Sequence, residues 1–280
     1  MATSRSSRTV PDSTGGTEPA PAMDLTRLAK ALDDAAREGK AIPQLTQEHP
    51  ELDETDAYKI QRLVIQHRIA RGEHRVGAKM GLTSRAKARQ MGVDRVIWGR
   101  LTNVMRAEEG AELMLRGRVH PRVEPEVAFI LKTSLAGRVS AVEALAAVEA
   151  VAPAVEIIDS RYQDFKFNLA DVVADNASSS GFILGAPRPA TTDVSNLGII
   201  LWVDGRPVQV GSSAAILGHP IRSLIAAAQL VADGGETLSA GDVVLAGAAT
   251  EAVPLRGRSH VKAEIHNLGF VSFGVERKSS

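Results

Sequence analysis

The chain has 280 residues, 44% of them hydrophobic and 24% charged, with 33 basic against 33 acidic side chains and no cysteine. That suits one large folded domain, or one with a small appendage, and rules out disorder along the whole length. Zero net charge offers no basic excess to nucleic acid or anionic lipid, and the missing cysteines exclude disulfides, zinc–thiolate sites, iron–sulfur clusters and a cysteine nucleophile.

Residues 1–22 are rich in Ser, Thr, Pro and Gly and carry no apolar stretch of the kind a secretory signal needs. They read as a disordered tail, lacking the apolar content to offset an ordering cost of about 1–2 kcal/mol per residue. A chain starting at Met23 is therefore expected to match the full chain in melting temperature and turnover; a drop in either shows that the tail packs on the body.

Residues 24–40 place Leu25, Leu28, Ala29, Leu32, Ala35 and Ala36 at helical spacing. A second helix is predicted over 53–71, capped by Asp53, with Gly72 at the left-handed position beyond it. Ile60, Leu63, Val64, His67 and Ala70 form its predicted inner stripe, and the two helices make an N-terminal unit over 23–75. From Val76 onward short apolar runs alternate with turn residues, which reads as strands. A short basic helix is predicted over 84–91, then a strand over 123–131, an alanine-rich helix over 141–152 ended by Pro153, and strands over 155–158, 181–184 and 199–203. Asp204-Gly205 is a hairpin signal before a strand over 207–210. A helix follows over 220–232 with Pro220 in its first turn, and His219 before it reads as a cap. Strands over 243–245, 261–265 and 270–273 complete the chain. Many strands, few helices and no regular βαβ alternation predict an α+β fold, a mixed, largely antiparallel β-sheet with flanking helices over 76–280. No apolar run approaches the ~18 residues of a membrane span; the longest lies near 198–203.

The most informative motif is His120-Pro121-Arg122-Val123-Glu124-Pro125-Glu126-Val127-Ala128-Phe129. Side chains alternate along a strand, so Glu124 and Glu126 project from one face and Val123, Pro125, Val127 and Phe129 from the other. Two like charges on one face repel unless something positive lies between them, and a divalent cation with hard oxygen ligands is the economical solution. The alternative is an amphipathic strand with a solvated acidic face. Glu156 interrupts the apolar run Ala154-Val155-Glu156-Ile157-Ile158, where a buried carboxylate requires a partner and an exposed one does not. Lys79, in Gly77-Ala78-Lys79-Met80-Gly81, either holds an anion or sits on a surface turn. Asp159-Ser160-Arg161-Tyr162 and Ala174-Asp175-Asn176-Ala177-Ser178 either line a pocket or order loops. Spacing alone leaves these alternatives open.

These residues make the chain recognisable. It resembles the hydratase/decarboxylase family of the fumarylacetoacetase superfamily, to which 4-oxalocrotonate (2-oxo-3-hexenedioate) decarboxylases and 2-hydroxypentadienoate hydratases belong. The likeness spans 23–274 and rests on Gly77–Ser84, His120–Phe129, Val155–Phe167, Val172–Ser179 and Leu217–Pro220. It implies the sheet roll of the fumarylacetoacetase C-terminal type, Mg²⁺ or Mn²⁺ bound by Glu124, Glu126 and Glu156, and Lys79 as the active-site lysine. It also implies substrate contacts from Arg161, Ser160, Asp175, Gly247 and Thr250. Val96-Ile97-Trp98-Gly99 is similar to the decarboxylase pattern, where hydratases carry an acid at the position of Ile97. The implied activity is decarboxylation of a 2-oxo dicarboxylic acid in the meta-cleavage catabolism of aromatic compounds; the alternatives are the hydratase reaction or an acylpyruvate-type hydrolysis. A cytoplasmic oligomer in complex with the pathway's hydratase is implied as well, with no nucleic acid and no membrane. Three positions depart from the family pattern: Ala246 and Ala248 stand where a Thr-Gly-Gly loop is usual, and Arg258 follows Gly257 where an Asp is usual. These put the choice of substrate in doubt more than the type of reaction.

Overall fold

Three helices lead the computed structural model, which describes residues 23–84 and 95–276. The expected tail over 1–22 and nearly all of the expected helix over 84–91 lie outside these residues. Helix α1 (Leu25–Glu38) begins where the Asp24 carboxylate accepts the N–H groups of Thr26 and Arg27, and ends at Gly39 with φ +62°. A single turn, α2 (Leu45–Glu48), precedes α3 (Glu54–Ala70), which Asp53 caps through the Asp56 N–H. The buried side of α3 is Ala57, Ile60, Gln61, Val64 and Ile65, while Ala70 is exposed, so the helix is rotated from the predicted stripe. Gln61 is tolerated inside because its amide donates to the carbonyls of Val173 at 2.7 Å and Trp98 at 3.1 Å. Leu28, Leu32, Ile60 and Val64 share one core with Tyr162, Val172 and Val173, so these helices bury their apolar faces against a much later segment.

The remaining elements are β1 (Arg75–Gly81), β2 (Ile97–Thr102), β3 (Arg106–Ala107), β4 (Glu112–Met114), β5 (Pro121–Leu131), α4 (Ala141–Ala146), β6 (Val148–Asp159), α5 (Leu169–Ala174), β7 (Ser179–Leu184), β8 (Arg188–Pro189), β9 (Gly198–Val203), β10 (Arg206–Ser212), α6 (Pro220–Asp233), β11 (Val243–Ala248), β12 (Val253–Pro254), β13 (Ser259–Ile265) and β14 (Gly269–Glu276). The larger sheet runs β2-β1-β11-β5-β6-β7-β3, with β12 added on β5 and β8 on β6; the smaller runs β10-β9-β13-β14-β4. The β1–β11, β3–β7 and β4–β14 pairs are parallel and the rest antiparallel, the mixed sheet expected.

The helix predicted over 141–152 is a correction. A Ser140 capping box starts α4, but it ends at Ala146, and from Val148 the chain is strand β6. Alanine favours a helix only weakly when a sheet position competes, and β6 pairs with β5 along nearly its whole length. Pro153 is accommodated because its carbonyl accepts from the Gly185 N–H at 2.8 Å. N–H and C=O of one strand residue point the same way, so the missing donor faces the gap where β6 changes partner from β8 to β7.

The large sheet is covered unequally. On one face α6 lays Ile221, Leu224, Ala227, Ala228 and Val231 against Met80, Trp98, Val244 and Ala246. The His219 ring accepts the Ile221 N–H at 3.1 Å and Pro220 occupies the first turn, as the sequence indicated. Ser213–Asp233 is apolar enough on average to resemble a membrane span, but its helix is a core helix here. Further along the same face, Val123, Val155, Ile157 and Ile183 pack on Leu201, Val261, Val271 and Phe273 of the smaller sheet. The opposite face, the inside of the curl, carries Lys79, Glu124, Glu126 and Glu156.

One glycine is indispensable to this arrangement. Gly77 has φ +149°, sits at a register irregularity of β1, and a Cβ there would lie 1.9 Å from the Val243 carbonyl oxygen. Gly77→Ala is expected to destabilise the fold by more than ~3 kcal/mol, since backbone, not a flexible side chain, blocks the methyl. Thermal unfolding checks this; an unchanged melting temperature would mean that β1 and β11 separate at little cost.

Candidate metal centre

The β5–β6 register is uninterrupted from Pro121 to Ile130, so alternation along β5 is strict and Arg122, Glu124, Glu126 and Ala128 share a face. Glu156 is the cross-strand partner of Glu124. Lys79 on β1 pairs with Leu245 on β11, which pairs with Ala128 on β5. Paired residues project to the same side of a sheet, so all four charged side chains emerge inside the curl. Beneath them Ala128, Ala152, Ala154 and Leu245 form an apolar floor with Leu101, Met105 and Phe182.

Each glutamate offers a carboxylate oxygen within 4.8 Å of the other two. Glu126 and Glu156 are fully buried and Glu124 is 6% exposed, which rejects the solvated acidic face. Lys79 Nζ lies 3.0 Å from Glu156 Oε2 and donates to the Ala177 carbonyl at 2.9 Å. Burial disfavours its charge, but the three glutamates outweigh this and hold its pKa above the usual lysine value. Burial, then the neighbouring Glu156, pushes the Glu126 carboxyl well up against the opposing pull of Lys79. Burial likewise raises Glu156 despite Lys79. Glu126 Oε2 accepts the Gly247 N–H at 2.7 Å, whereas Glu126 Oε1 is buried without a hydrogen bond among the described residues.

This donor set fits a divalent cation. Among the described residues three buried carboxyl groups surround one lysine, a like-charged cluster that a cation relieves, and carboxylate oxygens are the ligands that Mg²⁺ or Mn²⁺ prefers. Three protein ligands also leave coordination positions for substrate or water.

Of the other residues the sequence singled out, Gly247 joins the centre. Its φ is +102°, a Cβ would lie 2.2 Å from Thr83 Oγ1, and its N–H orients Glu126. Thr250 lies two residues past the end of β11, where its hydroxyl donates to the Glu251 carbonyl at 3.2 Å. Ser160, Arg161 and Asp175 are all buried, and Arg161 and Asp175 form a network. The Arg161 guanidinium pairs with the Asp175 carboxylate and reaches the carbonyls of Asp159 and Asp175, and Ser160 Oγ accepts the Tyr162 N–H at 3.3 Å. Burial pushes the Asp175 carboxyl up to about 6 against the pull of Arg161.

The segment the sequence singled out as a pocket lining or a loop contains a turn at Asn176, Ala177 and Ser178, three successive residues with φ between +50° and +58°, whose backbone role the residue types did not reveal. Such a run is strained for L-residues, and here it presents the Ala177 carbonyl to Lys79. The strain is locked from β2: Asn176 bonds both the N–H and the carbonyl of Arg100, and Gly99 leaves room for the Asn176 carbonyl. Ser178 and Ser179 are buried, and the Ser179 side chain lies beside Glu156. The sequence signal was the small polar run Asn176-Ala177-Ser178-Ser179-Ser180 beside an apolar strand.

A curled mixed sheet with a carboxylate triad inside it defines a class. Residues 70–276 match the fumarylacetoacetate (FAA) hydrolase C-terminal family, and the chain belongs to that family. Within it, the chain is 59% identical over 253 residues to a 4-oxalocrotonate decarboxylase of Pseudomonas sp, covering 90% of this chain and 98% of that protein. The solved 4-oxalocrotonate decarboxylase from Pseudomonas putida G7, complexed with magnesium and adipate, superposes with a TM-score of 0.87 at 37% identity, over 90% of this chain and 97% of the other. A 2-hydroxyhexa-2,4-dienoate hydratase of Comamonas testosteroni is 35% identical over 86% of this chain and 93% of its own length.

Proposed function

We propose that the chain is a divalent-cation-dependent carboxy-lyase that converts 2-oxo-3-hexenedioate (4-oxalocrotonate) to 2-hydroxypenta-2,4-dienoate. The observation that carries this reading is the 59% identity to a decarboxylase of that name across nearly the whole chain, against 35% to a hydratase. Ile97 supports the same choice: it is an apolar core residue, so no acid stands there to manage protons for water addition.

The substrate is a vinylogous β-keto acid. As the C5–C6 bond breaks, its electron pair forms the C4–C5 double bond, the C3–C4 pair shifts to C2–C3, and charge collects on the 2-oxo oxygen. A cation held by Glu124, Glu126 and Glu156 supplies Lewis-acid stabilisation of that oxyanion. Lys79 keeps its proton and adds a fixed positive charge within the same dry pocket, where electrostatic stabilisation is strongest. Gly247 holds Glu126 in position through its N–H, and the apolar floor excludes water. Glu156 is oriented as a ligand by its contact with Lys79.

The enzyme acts in the meta-cleavage branch of aromatic catabolism, in the cytoplasm, as an oligomer together with the hydratase that consumes its product. Exposed Val208 and Val210 on edge strand β10 support the assembly, since apolar side chains on an unpaired edge suit a protein partner. Substrate contacts from Arg161, Ser160, Asp175 and Thr250 belong to this reading too. The test is product analysis with Mg²⁺: release of carbon dioxide and a dienol absorbance from 2-oxo-3-hexenedioate support it. Water addition to 2-hydroxypentadienoate without decarboxylation would support the hydratase.

A further inference from the structure

We infer that Arg122 is the specificity-determining residue that binds the distal carboxylate of the dicarboxylic substrate. The inference rests on the decarboxylase reading for the identity of the substrate and on the geometry of β5 for the residue. Arg122 shares the inner face with Glu124 and Glu126, one pleat repeat beyond Glu124. Two residues of extended strand advance about 6.7 Å. An extended six-carbon diacid separates its terminal carbons by about 6 Å, given carbon–carbon bonds near 1.5 Å. A substrate with its 2-oxo acid end at the glutamate centre therefore places its other carboxylate at Arg122.

The guanidinium is prepared for such a ligand. Its Cζ lies 3.7 Å from the centre of the Phe165 ring, so one flat face is stacked. Stacking leaves the N–H edges open, and a guanidinium engages a carboxylate through two parallel N–H donors along an edge. Among the described residues Arg122 makes no hydrogen bond and no ion pair, unlike Arg161, whose three nitrogens are all engaged by protein oxygens. Phe165 is held in place at a cost: it and Asp164 both have φ +57°, an unfavourable conformation for these residues. His120 packs edge-on against the same ring, and its buried Nε2 has no hydrogen-bond partner among the described residues, which leaves a second polar atom at this corner. The charges facing Arg122 are Glu124 on its own strand and Arg256, two residues past the β12 segment that pairs with β5.

The role is confined to binding. The carboxylate that Arg122 holds leaves as neutral carbon dioxide, so the contact is strongest in the ground state and weakens toward the transition state. Its loss should raise KM without lowering kcat, the opposite of a group that stabilises the oxyanion.

The test compares two ligands that differ only in the distal group, 2-oxoadipate and 2-oxohexanoate, by competitive binding to the Mg²⁺-loaded protein. The wild type is expected to prefer the diacid by about tenfold to a hundredfold, the range for a charged hydrogen-bonded contact. Arg122→Gln should bring that preference close to one, with 2-oxohexanoate affinity unchanged. Arg122→Lys, which keeps the charge and loses the planar fork, should retain part of it. Equal weakening of both ligands in Arg122→Gln, at an unchanged melting temperature, would reduce Arg122 to a support of the pocket wall and overturn the inference. An unchanged preference would overturn it as well. Because the readout is binding, it stands apart from turnover: a wild type that prefers the diacid yet releases no carbon dioxide would sink the decarboxylase reading and leave the role of Arg122 intact.

Discussion

Glu126→Gln is expected to lower kcat by at least about a hundredfold while raising the melting temperature of the chelator-treated protein by a few degrees. The two effects have opposite signs for one reason. Without a cation, Glu126 is a buried carboxyl pressed against Glu156 and Glu124, opposed by a single lysine. A neutral amide of the same size removes like-charge repulsion and desolvation cost, which stabilises the fold. The same change removes a hard anionic ligand, and the amide coordinates Mg²⁺ poorly. Added Mg²⁺ should stabilise the wild type by about 2.7 kcal/mol at a hundredfold excess over its Kd, and the variant by much less at the same concentration. Partial recovery of turnover at high Mg²⁺ would identify affinity as the defect. Full activity in chelator-treated buffer, or a variant less stable than the wild type without metal, would contradict the assignment. Glu124→Gln is expected to lose activity in the same way.

Lys79→Met is the complementary experiment, with the stability signs reversed. Methionine keeps much of the stem and removes the ammonium that lies 3.0 Å from Glu156. The buried carboxyls then lose the ammonium between them, and removal of one partner of a buried pair typically costs about 3–5 kcal/mol. The chelator-treated variant should therefore melt well below the wild type, and Mg²⁺ should recover much of the difference, since the cation now balances the cluster alone. Turnover should not recover with it. Loss of one well-placed positive group beside a developing oxyanion costs about 10²–10³ in rate, seen in kcat at saturating Mg²⁺. Steady-state kinetics with circular dichroism as folding control make the measurement. An unchanged kcat with a raised KM would make Lys79 a binder of substrate only, and a variant unchanged in both would remove it from the chemistry. Read beside Arg122→Gln, the pair separates charge that serves binding from charge that serves the reaction.

Local chemistry was legible in the chain itself. Asp53 caps the helix at which it was placed, Pro220 opens α6 behind His219, and Asp204-Gly205 makes a turn with φ +50° and +74°. These features depend on neighbours within a few residues, so their reasons lie in the local sequence. The shared face of Glu124 and Glu126 was legible for the same reason, because strand alternation needs no knowledge of the partner strand. Glu156 and Lys79 stood out locally, as a charge in an apolar run and a lysine between glycines, and family likeness then implied that they join the pair, which no spacing argument reaches. What only the tertiary structure decided are the questions of register and burial. Residues 148–152 became strand because β5 offered a pairing edge, against the preference of an alanine-rich segment. Gln61 turned inward because Val173 and Trp98 offered carbonyls there, and Arg161 was drawn into a network with Asp175 while Arg122 kept its edges open. The convergence of Lys79, Glu126 and Glu156 likewise depends on the strand order β1-β11-β5-β6. That order brings together residues far apart in the chain, and it is set by the packing of whole sheets, so it is written in no single segment of the sequence.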